Sequence, residues 1–262
     1  MTPWIQAGDG DALATYEAFA PFYDRYTSDH GHDEWMADLD RILRAHGLRG
    51  DRLLDVACGT GRSLVPMLRR GYRVTGCDRS PAMVERARAK LGARGETVVA
   101  DMRALPWRER FDAATCVDDS INYLLSLADV VAALRSIRDA LAPGGLLVFD
   151  VNALGAYRGA FADEVAFQAE GTSFRWRGES SAEMEPGALV SAVTEVLDPD
   201  DGSALMSARH VQRHYSIPEL RLACGEAGLE CLQFWGELPG RGLVEDADEE
   251  QASKTVCLAR RT

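Results

Sequence analysis

The sequence lacks any run of 18 or more apolar residues, so no segment is typical of a membrane-spanning helix. Its first ten residues, MTPWIQAGDG, have neither the basic start nor the apolar stretch of an export signal. Positive charge is also scarce, since 29 Lys and Arg stand against 41 Asp and Glu and leave a net charge of −12. Nucleic-acid affinity depends largely on Lys and Arg neutralising phosphates, which argues against a nucleic-acid partner. We therefore expect a cytoplasmic monomer or homodimer that binds a small molecule and no membrane.

The sequence also lacks any C-x-x-C pair, so neither a zinc site nor a redox motif is indicated among its six cysteines. Most of these cysteines fall in apolar segments that are typical of strands or helices. We interpret them as small buried thiols, with no metal bound. They are Cys58, Cys77, Cys116, Cys224, Cys231 and Cys257.

Strand and helix patterns alternate through the middle of the chain, with short links between them. Such alternation predicts an α/β fold, a parallel sheet with helices on both faces. The sequence predicts strands at 52–58, 73–78, 97–100, 111–117 and 145–151, and helices at 61–70, 80–91 and 127–142. Pro143-Gly144-Gly145 is expected to end the last of these helices.

Different patterns flank this core. Pro21 interrupts an amphipathic stretch over residues 11–30 and predicts two short helices, followed by a helix at about 33–46. After the fifth strand, period-two patterns with turn signals predict about three inserted antiparallel strands. A helix at 217–227 and strands at 230–236 and 254–260 complete the sheet, with an acidic loop over 244–250. We expect a helical lid (1–47), a core (48–152), a substrate cap (153–216) and a C-terminal part of the core (217–262).

The stretch from Leu53 to Arg62, LLDVACGTGR, is typical of a strand that ends in a tight turn beneath a ligand. Glycine at 59 and 61 permits a positive φ and close approach of the ligand, and the next helix offers free N–H groups. Acids recur at the strand ends, where ligands of open parallel sheets bind. They are Asp55, Asp78, Asp101, Asp118 and Asp119.

These positions together predict a nucleoside site. A carboxylate after the second strand can accept hydrogen bonds from both ribose hydroxyls, and Asp101-Met102 can bind adenine. A pyrophosphate would call for a third glycine at position 64, where the sequence has Leu64. A nucleoside with an amino-acid tail therefore fits better than a dinucleotide. A dinucleotide oxidoreductase and a non-catalytic nucleoside-binding domain remain as alternatives.

Four segments in this order resemble the motifs of class I S-adenosylmethionine-dependent methyltransferases. They are LDVACGTG ending at Gly61, GYRVTGCDRSPAMV from Gly71, ADMRALP from Ala100 and LAPGGLLVFDVN ending at Asn152. The resemblance implies a Rossmann-like seven-stranded sheet with a C-terminal antiparallel strand. It also implies S-adenosyl-L-methionine as cofactor and S-adenosyl-L-homocysteine as product.

The resemblance implies a role in cofactor binding for each residue that matches a motif. Gly59 and Gly61 would lie beneath the methionine portion of S-adenosylmethionine, Asp78 would bind its ribose, and Asp101 with Met102 would bind its adenine. Asp118 or Asp119 would lie near the cofactor's amino group. Arg62 could pair with the methionine carboxylate or face solvent. The predicted cofactor-binding residues are Tyr16, Tyr23, Asp55, Ala57, Gly59, Gly61, Arg62, Asp78, Arg79, Asp101, Met102 and Asp118.

The segments FYDRY from Phe22 and DDSINY ending at Tyr123, with the antiparallel insertion, resemble a small-molecule subgroup. It includes glycine or sarcosine N-methyltransferases and aminosugar N-methyltransferases of antibiotic pathways. We expect transfer to an amine nitrogen in natural-product biosynthesis, with an oxygen acceptor as the alternative. Histidines in the lid and insertion could act near neutral pH. The predicted catalytic residues are Tyr23, Asp119, Tyr123 and His210.

Overall fold

A computed structural model describes residues 12–262, so residues 1–11 of the predicted lid and the first ten residues considered for an export signal lie outside it. The helices are α1 (Ala12–Tyr26), α2 (His32–Ala45), α3 (Leu64–Arg69), α4 (Pro81–Leu91), α5 (Leu127–Ala140), α6 (Leu154–Arg158) and α7 (Ile217–Ala227). The first six strands are β1 (Arg52–Val56), β2 (Arg73–Asp78), β3 (Glu96–Val99), β4 (Phe111–Cys116), β5 (Leu141–Asn152) and β6 (Glu164–Ala169). The others are β7 (Thr172–Gly178), β8 (Leu189–Leu197), β9 (Ala204–Arg213), β10 (Leu229–Leu238), β11 (Gly242–Glu245) and β12 (Lys254–Arg261).

The main sheet has the strand order β11-β10-β12-β5-β4-β1-β2-β3. Strands β1 to β5 pair in parallel, whereas β12 is antiparallel to both β5 and β10. Seven of the eight strands form the predicted sheet with its antiparallel C-terminal strand, which confirms the predicted fold class. The eighth strand, β11, was not predicted and pairs with β10 as a hairpin, which takes up the start of the predicted acidic loop. Strand order reverses between β1 and β4, where parallel sheets leave a crevice for ligands.

The insertion forms a second sheet of four antiparallel strands in the order β6-β7-β8-β9, where about three were predicted. Helix α1 packs beside β9 in this sheet. Phe19 of α1 shares an apolar cluster with Phe174, Val196 and Met206 of the second sheet. The first helix and the inserted sheet therefore bury their apolar faces together.

Three predicted boundaries are wrong. Helix α1 continues through Pro21 instead of breaking there, because Phe19 and its neighbours pack against the inserted sheet and this packing offsets the local cost of the proline. Helix α5 ends at Ala140, and the Pro-Gly-Gly turn lies inside β5 as an irregularity in its pairing with β4. Helix α3 begins only at Leu64, because residues 57–63 form turns.

Among residues 12–262, no helix is both long and apolar enough to span a membrane.

Candidate active site

A cavity of about 350 Å³ lies over the carboxyl ends of β1 to β4. Helices α1 and α2 close it from the other side through Tyr16, Tyr23 and His32. The strand ends line its floor with Ala57–Thr60, Arg62, Ser63, Asp78–Ser80, Ala100–Arg103, Val117 and Asp118. The predicted convergence of four strand ends on one cavity is therefore present in the structure.

The turn after β1 reverses the chain through three residues with positive φ: Ala57 (57°), Gly59 (51°) and Gly61 (82°). Gly59 faces the cavity, and the nearest atom to a Cβ there would belong to Tyr23, at 3.8 Å. Gly61, in contrast, does not line the cavity. A Cβ on Gly61 would lie 3.1 Å from the Cβ of Ala87 on α4, so this glycine is required by helix packing as well as by its φ.

Asp55 is buried inside β1 and does not line the cavity, whereas Asp78, Asp101 and Asp118 do. Its carboxylate accepts hydrogen bonds from Ser63 and, at 2.7 Å, from Thr115 on β4. Burial raises the pKa of Asp55 to about 6, although both hydroxyls oppose the shift. Asp55 therefore stabilises the glycine turn by joining β1 to Ser63 at the end of the turn and to the neighbouring strand β4.

Asp78 lies at the end of β2 and lines the cavity. Its carboxylate accepts the backbone N–H of Gly59 at 2.9 Å and that of Ser80 at 2.8 Å. Burial raises the pKa of Asp78, against the effect of those two N–H groups. Each carboxylate oxygen keeps acceptor capacity toward the cavity, which suits a pair of ligand hydroxyls.

Asp101 and Met102 lie after β3 and also line the cavity. Arg103 donates to the Asp101 carboxylate at 2.7 Å, and Arg79 lies 3.9 Å from it. The hydrogen bond from Arg103 holds the pKa of Asp101 below its usual range, although partial burial opposes the shift. Arg103 was not predicted at the site, and any ligand amine that reaches Asp101 shares this carboxylate with it.

The loop after β4 holds Asp118 and Asp119 in the left-handed region, with φ of 56° and 52°. The fully buried carboxylate of Asp150 accepts both of their backbone N–H groups, at 3.0 and 2.6 Å. Lys254 of β12 lies 3.1 Å from Asp150 and 3.3 Å from Asp119. Left-handed non-glycine residues persist only where their surroundings enforce them. Asp150 and Lys254 supply that constraint, and the sequence patterns marked neither residue as part of the site.

Arg62 joins the glycine turn to the first two helices. Its guanidinium donates to the Asp24 carbonyl oxygen at 3.0 Å and to Nδ1 of His32 at 3.3 Å. Nε2 of His32 then donates to Asp118 at 3.1 Å. Burial opposes ionisation of Asp118, but the His32 hydrogen bond and the Lys254 charge lower its pKa to about 2. Arg62 therefore does not project freely into solvent: it lines the cavity and holds the helices over it.

A second cavity of about 210 Å³ adjoins the first, and both are lined by Tyr16, Tyr23, Asp118 and Tyr123. The other residues that line it are Phe19, Tyr26, Thr27, His30, Asp119, Asn152, Phe161, Trp176, Thr194, His210, Gln212 and Lys254. They come from α1 and the loop after it, the loop after β4, the end of β5, the segment before β6, the inserted sheet and β12. All four predicted catalytic residues therefore line this cavity.

Four side chains form a continuous hydrogen-bond chain along the wall of the second cavity. Tyr16 donates to the Tyr123 hydroxyl at 2.8 Å, and Tyr123 pairs with Nδ1 of His210 at 2.9 Å. Nε2 of His210 pairs with the Thr194 hydroxyl at 3.1 Å. If Nδ1 of a neutral His210 accepts from Tyr123, its Nε2–H donates to Thr194, and the whole chain is satisfied.

The two acid–base candidates in this cavity differ in charge state. Burial lowers the pKa of His210 to about 4, so this histidine is neutral near pH 7 and does not titrate there as expected. Burial raises the pKa of Asp119 to about 6, against the charge of Lys254. Gln212, which was not predicted, donates to the Asp119 carboxylate at 2.5 Å. Of these two candidates, Asp119 is therefore the one whose protonation changes nearer to neutral pH.

Comparison with known proteins gives the family. Residues 53–145 match the family described as a methyltransferase domain. A protein of Geobacillus sp. (strain WCH70), named as a candidate methyltransferase, is 30% identical over 94% of this chain and 100% of its own length. The dTDP-3-amino-3,6-dideoxy-alpha-D-glucopyranose N,N-dimethyltransferase of Streptomyces fradiae is 30% identical over 86% of this chain and 88% of its own.

Among solved structures, the SAM-bound amino pentose methyltransferase CalS10 from Micromonospora echinaspora is similar. It has a TM-score of 0.71 and 27% identity, and the match covers 92% of this chain and 96% of that one. The chain belongs to the class I S-adenosylmethionine-dependent methyltransferases. S-adenosylmethionine is its cofactor.

Proposed function

We propose that this methyltransferase transfers its methyl group to an amine nitrogen of a small molecule that binds in the second cavity. The observation that carries the proposal is the composition of that cavity, in which Asp118 and Asp119 lie among aromatic rings. Its lysine, Lys254, is already paired with two carboxylates. Carboxylates and the faces of aromatic rings favour a cationic ligand, so the cavity suits an ammonium group.

The first cavity fits the cofactor. We propose that Asp78 binds the ribose hydroxyls, that Asp101 and Met102 bind adenine, and that Gly59 and Asp118 lie beside the methionine portion. The fit rests on the acceptor capacity left on Asp78 and on the open face of Gly59. The bound cofactor supplies a methyl group on a positively charged sulfur atom.

The tyrosines between the cavities would position the acceptor. Tyr16, Tyr23 and Tyr123 line both cavities, so they surround the passage through which the nitrogen must reach the methyl group. Displacement at a methyl group needs alignment and exclusion of water more than covalent help. We propose that helix α1 and the inserted sheet, which share an apolar cluster, form this enclosure together.

An amine that arrives protonated must lose a proton before its nitrogen can attack. Asp119 is suited to accept this proton, because its pKa of about 6 lies near the working pH. Gln212 and Lys254 hold its carboxylate in place. His210, with a pKa of about 4, is a much weaker base and would orient Tyr123 instead.

The similarity to the Streptomyces fradiae N,N-dimethyltransferase supports an aminosugar as the acceptor class and specialised metabolism as the setting. The direct test is incubation with methyl-labelled S-adenosylmethionine and a panel of aminosugars, amino acids and phenols. We expect a labelled product that is one methyl group heavier from an aminosugar. A panel in which only phenols become labelled would show that the acceptor atom is oxygen.

The role of Asp119 gives a sharper prediction. Substituting Asp119→Asn removes the proton acceptor while keeping the side-chain shape, so kcat should fall about 100-fold. Only the ionised carboxylate accepts a proton, so wild-type activity should decline as the pH falls through about 6. The variant should lose this acidic limb and bind S-adenosylhomocysteine as wild type does by calorimetry. An unchanged acidic limb in the variant would rule Asp119 out.

A further inference from the structure

Three of the six cysteines meet in the structure although they are separated in the sequence. Cys224 comes from α7, Cys231 from β10 and Cys257 from β12, and their sulfur atoms all lie within 4.8 Å of one another. The Cys231 and Cys257 sulfurs are 3.4 Å apart, and none of the three is in a disulfide. Our expectation that the cysteines form no metal site was based on their spacing along the chain, which does not reveal this cluster.

We propose that Cys224, Cys231 and Cys257 form a binding site for a thiophilic divalent metal ion such as Zn²⁺. Thiolate sulfur is the ligand that soft and borderline ions select. Zinc–sulfur bonds of about 2.3 Å at tetrahedral or trigonal angles put two sulfurs roughly 3.8 to 4.0 Å apart. The Cys231 and Cys257 sulfurs at 3.4 Å lie just below that value and none of the three separations exceeds 4.8 Å, so small side-chain movements would bring all three sulfurs onto one ion.

The pairing of β10 with β12 brings the thiols to the same face. Cys231 pairs with Ala259, so Cys257, two residues earlier on β12, lies diagonal to Cys231 on the same face of the sheet. Helix α7 packs against β10 and brings Cys224 to the two strand thiols. An ion held by all three would tie together the three elements that complete the sheet.

The surroundings suit a closed site with one route of entry. Cys224 and Cys257 are fully buried in the apolar core, whereas Cys231 is partly exposed and opens the cluster toward the surface. Three thiolates and a divalent ion carry one net negative charge. Arg221, one helical turn before Cys224, stacks over Phe234 and supplies a nearby positive charge. None of the three cysteines lines either cavity, so the site is separate from methyl transfer.

Cadmium titration of the reduced full-length protein tests the proposal, because Cd²⁺ replaces Zn²⁺ and gives an ultraviolet thiolate-to-metal band. We expect the band to saturate at one equivalent in wild type and to disappear in Cys231→Ser. The matched control is Cys116→Ala, which removes a buried thiol outside the cluster and should keep the band. Wild type without the band, or Cys231→Ser with it, would overturn the proposal.

Thermal unfolding separates loss of the site from loss of the fold. An ion that binds only the native state raises Tm. Cd²⁺ should therefore raise the Tm of wild type and of Cys116→Ala, and it should leave the Tm of Cys231→Ser unchanged. Unchanged S-adenosylhomocysteine affinity in Cys231→Ser would show that this variant is folded. An equal rise in the Tm of all three proteins would mean that Cd²⁺ binds elsewhere, and the proposal would be wrong.

Discussion

The two cavities of this methyltransferase are built in opposite ways. The first cavity, which we propose holds the cofactor, is made chiefly of turns that directly follow successive strands, so its backbone N–H groups and acids are fixed by the sheet. The second cavity, which we propose holds the acceptor, is made of side chains from distant elements, as in the bond between Tyr16 and Tyr123 and that between Tyr123 and His210. One cavity therefore depends on local chain geometry, and the other depends on how separate elements dock.

This difference determines which of the two ligands can be replaced by another through substitutions. A ligand held by strand-end turns stays in place while the sheet stays folded. A ligand held by side chains of α1 and the inserted sheet can be exchanged by substituting residues that do not touch the cofactor. The acceptor side is therefore the part of the molecule in which specificity can diverge. Four substitutions, taken from the largest expected effect to the smallest, test this contrast.

The largest effect should come from Asp78→Asn. The amide cannot accept at both positions, so it weakens the hold on the Gly59 and Ser80 N–H groups and on the ribose at once. We expect the Kd for S-adenosylhomocysteine to rise about 100-fold, measured by calorimetry. Asp112→Asn is the matched control, because Asp112 pairs with Arg52 at the start of the strands. Wild-type affinity in Asp78→Asn would refute the ribose assignment.

The next effect should be on stability. Gly61→Ala places a Cβ 3.1 Å from that of Ala87 at a φ of 82°, so it should destabilise the fold by about 1–3 kcal/mol in denaturant unfolding. Gly225→Ala is the control, because its Cβ would meet nothing within 4 Å inside α7. The control should be neutral or stabilising, since alanine favours helix. Equal stability of the two variants would mean that the turn has no special need for glycine.

A smaller effect is expected at the boundary between the cavities. Tyr23→Phe keeps the ring that faces Gly59 and removes only the hydroxyl, so the cofactor Kd should stay within about twofold while kcat falls about tenfold. Calorimetry and steady-state kinetics measure the two quantities. A large rise in Kd with unchanged kcat would place Tyr23 on the cofactor side alone.

The smallest effect should come from His210→Gln. Glutamine can still accept from Tyr123 and donate to Thr194, so the hydrogen-bond chain can survive without the imidazole. We expect kcat to fall less than about threefold, with the acidic limb of the pH profile unchanged. His210→Leu is the variant to compare with it, because leucine makes neither hydrogen bond. This variant should raise KM for the acceptor. Loss of the acidic limb in His210→Gln would transfer the role of base from Asp119 to His210.

The sequence allowed the cofactor side to be predicted because its signals are local. A strand and its glycine turn lie within ten residues, an acid ends the next strand, and the structure puts Gly59 and Asp78 in one cavity. The same signals misplaced Asp55, because a carboxylate inside a strand and one after it look alike in sequence. Asp150 and Lys254 were missed because they act on Asp118 and Asp119 only through strand pairing across the sheet.

The acceptor side was harder to predict for the same reason. Tyr23, Asp119, Tyr123 and His210 were predicted as residue types that could do the chemistry, but no spacing in the sequence indicates that they share a cavity. Gln212 carried no signal, since a polar residue at an alternating position in a strand is equally typical of a solvent-facing side chain. The three-cysteine cluster was missed because it needs α7, β10 and β12 to be packed together.

The position of Lys254 has a consequence for synthesis of the protein. Strand β12 is the last strand to be translated, yet it inserts between β5 and β10, and its lysine anchors the loop that carries Asp118 and Asp119. A nascent chain can form β1 to β4 and the glycine turn well before it can complete this loop. The loop that carries Asp118 and Asp119 can therefore be completed only after β12 has left the ribosome and paired with β5.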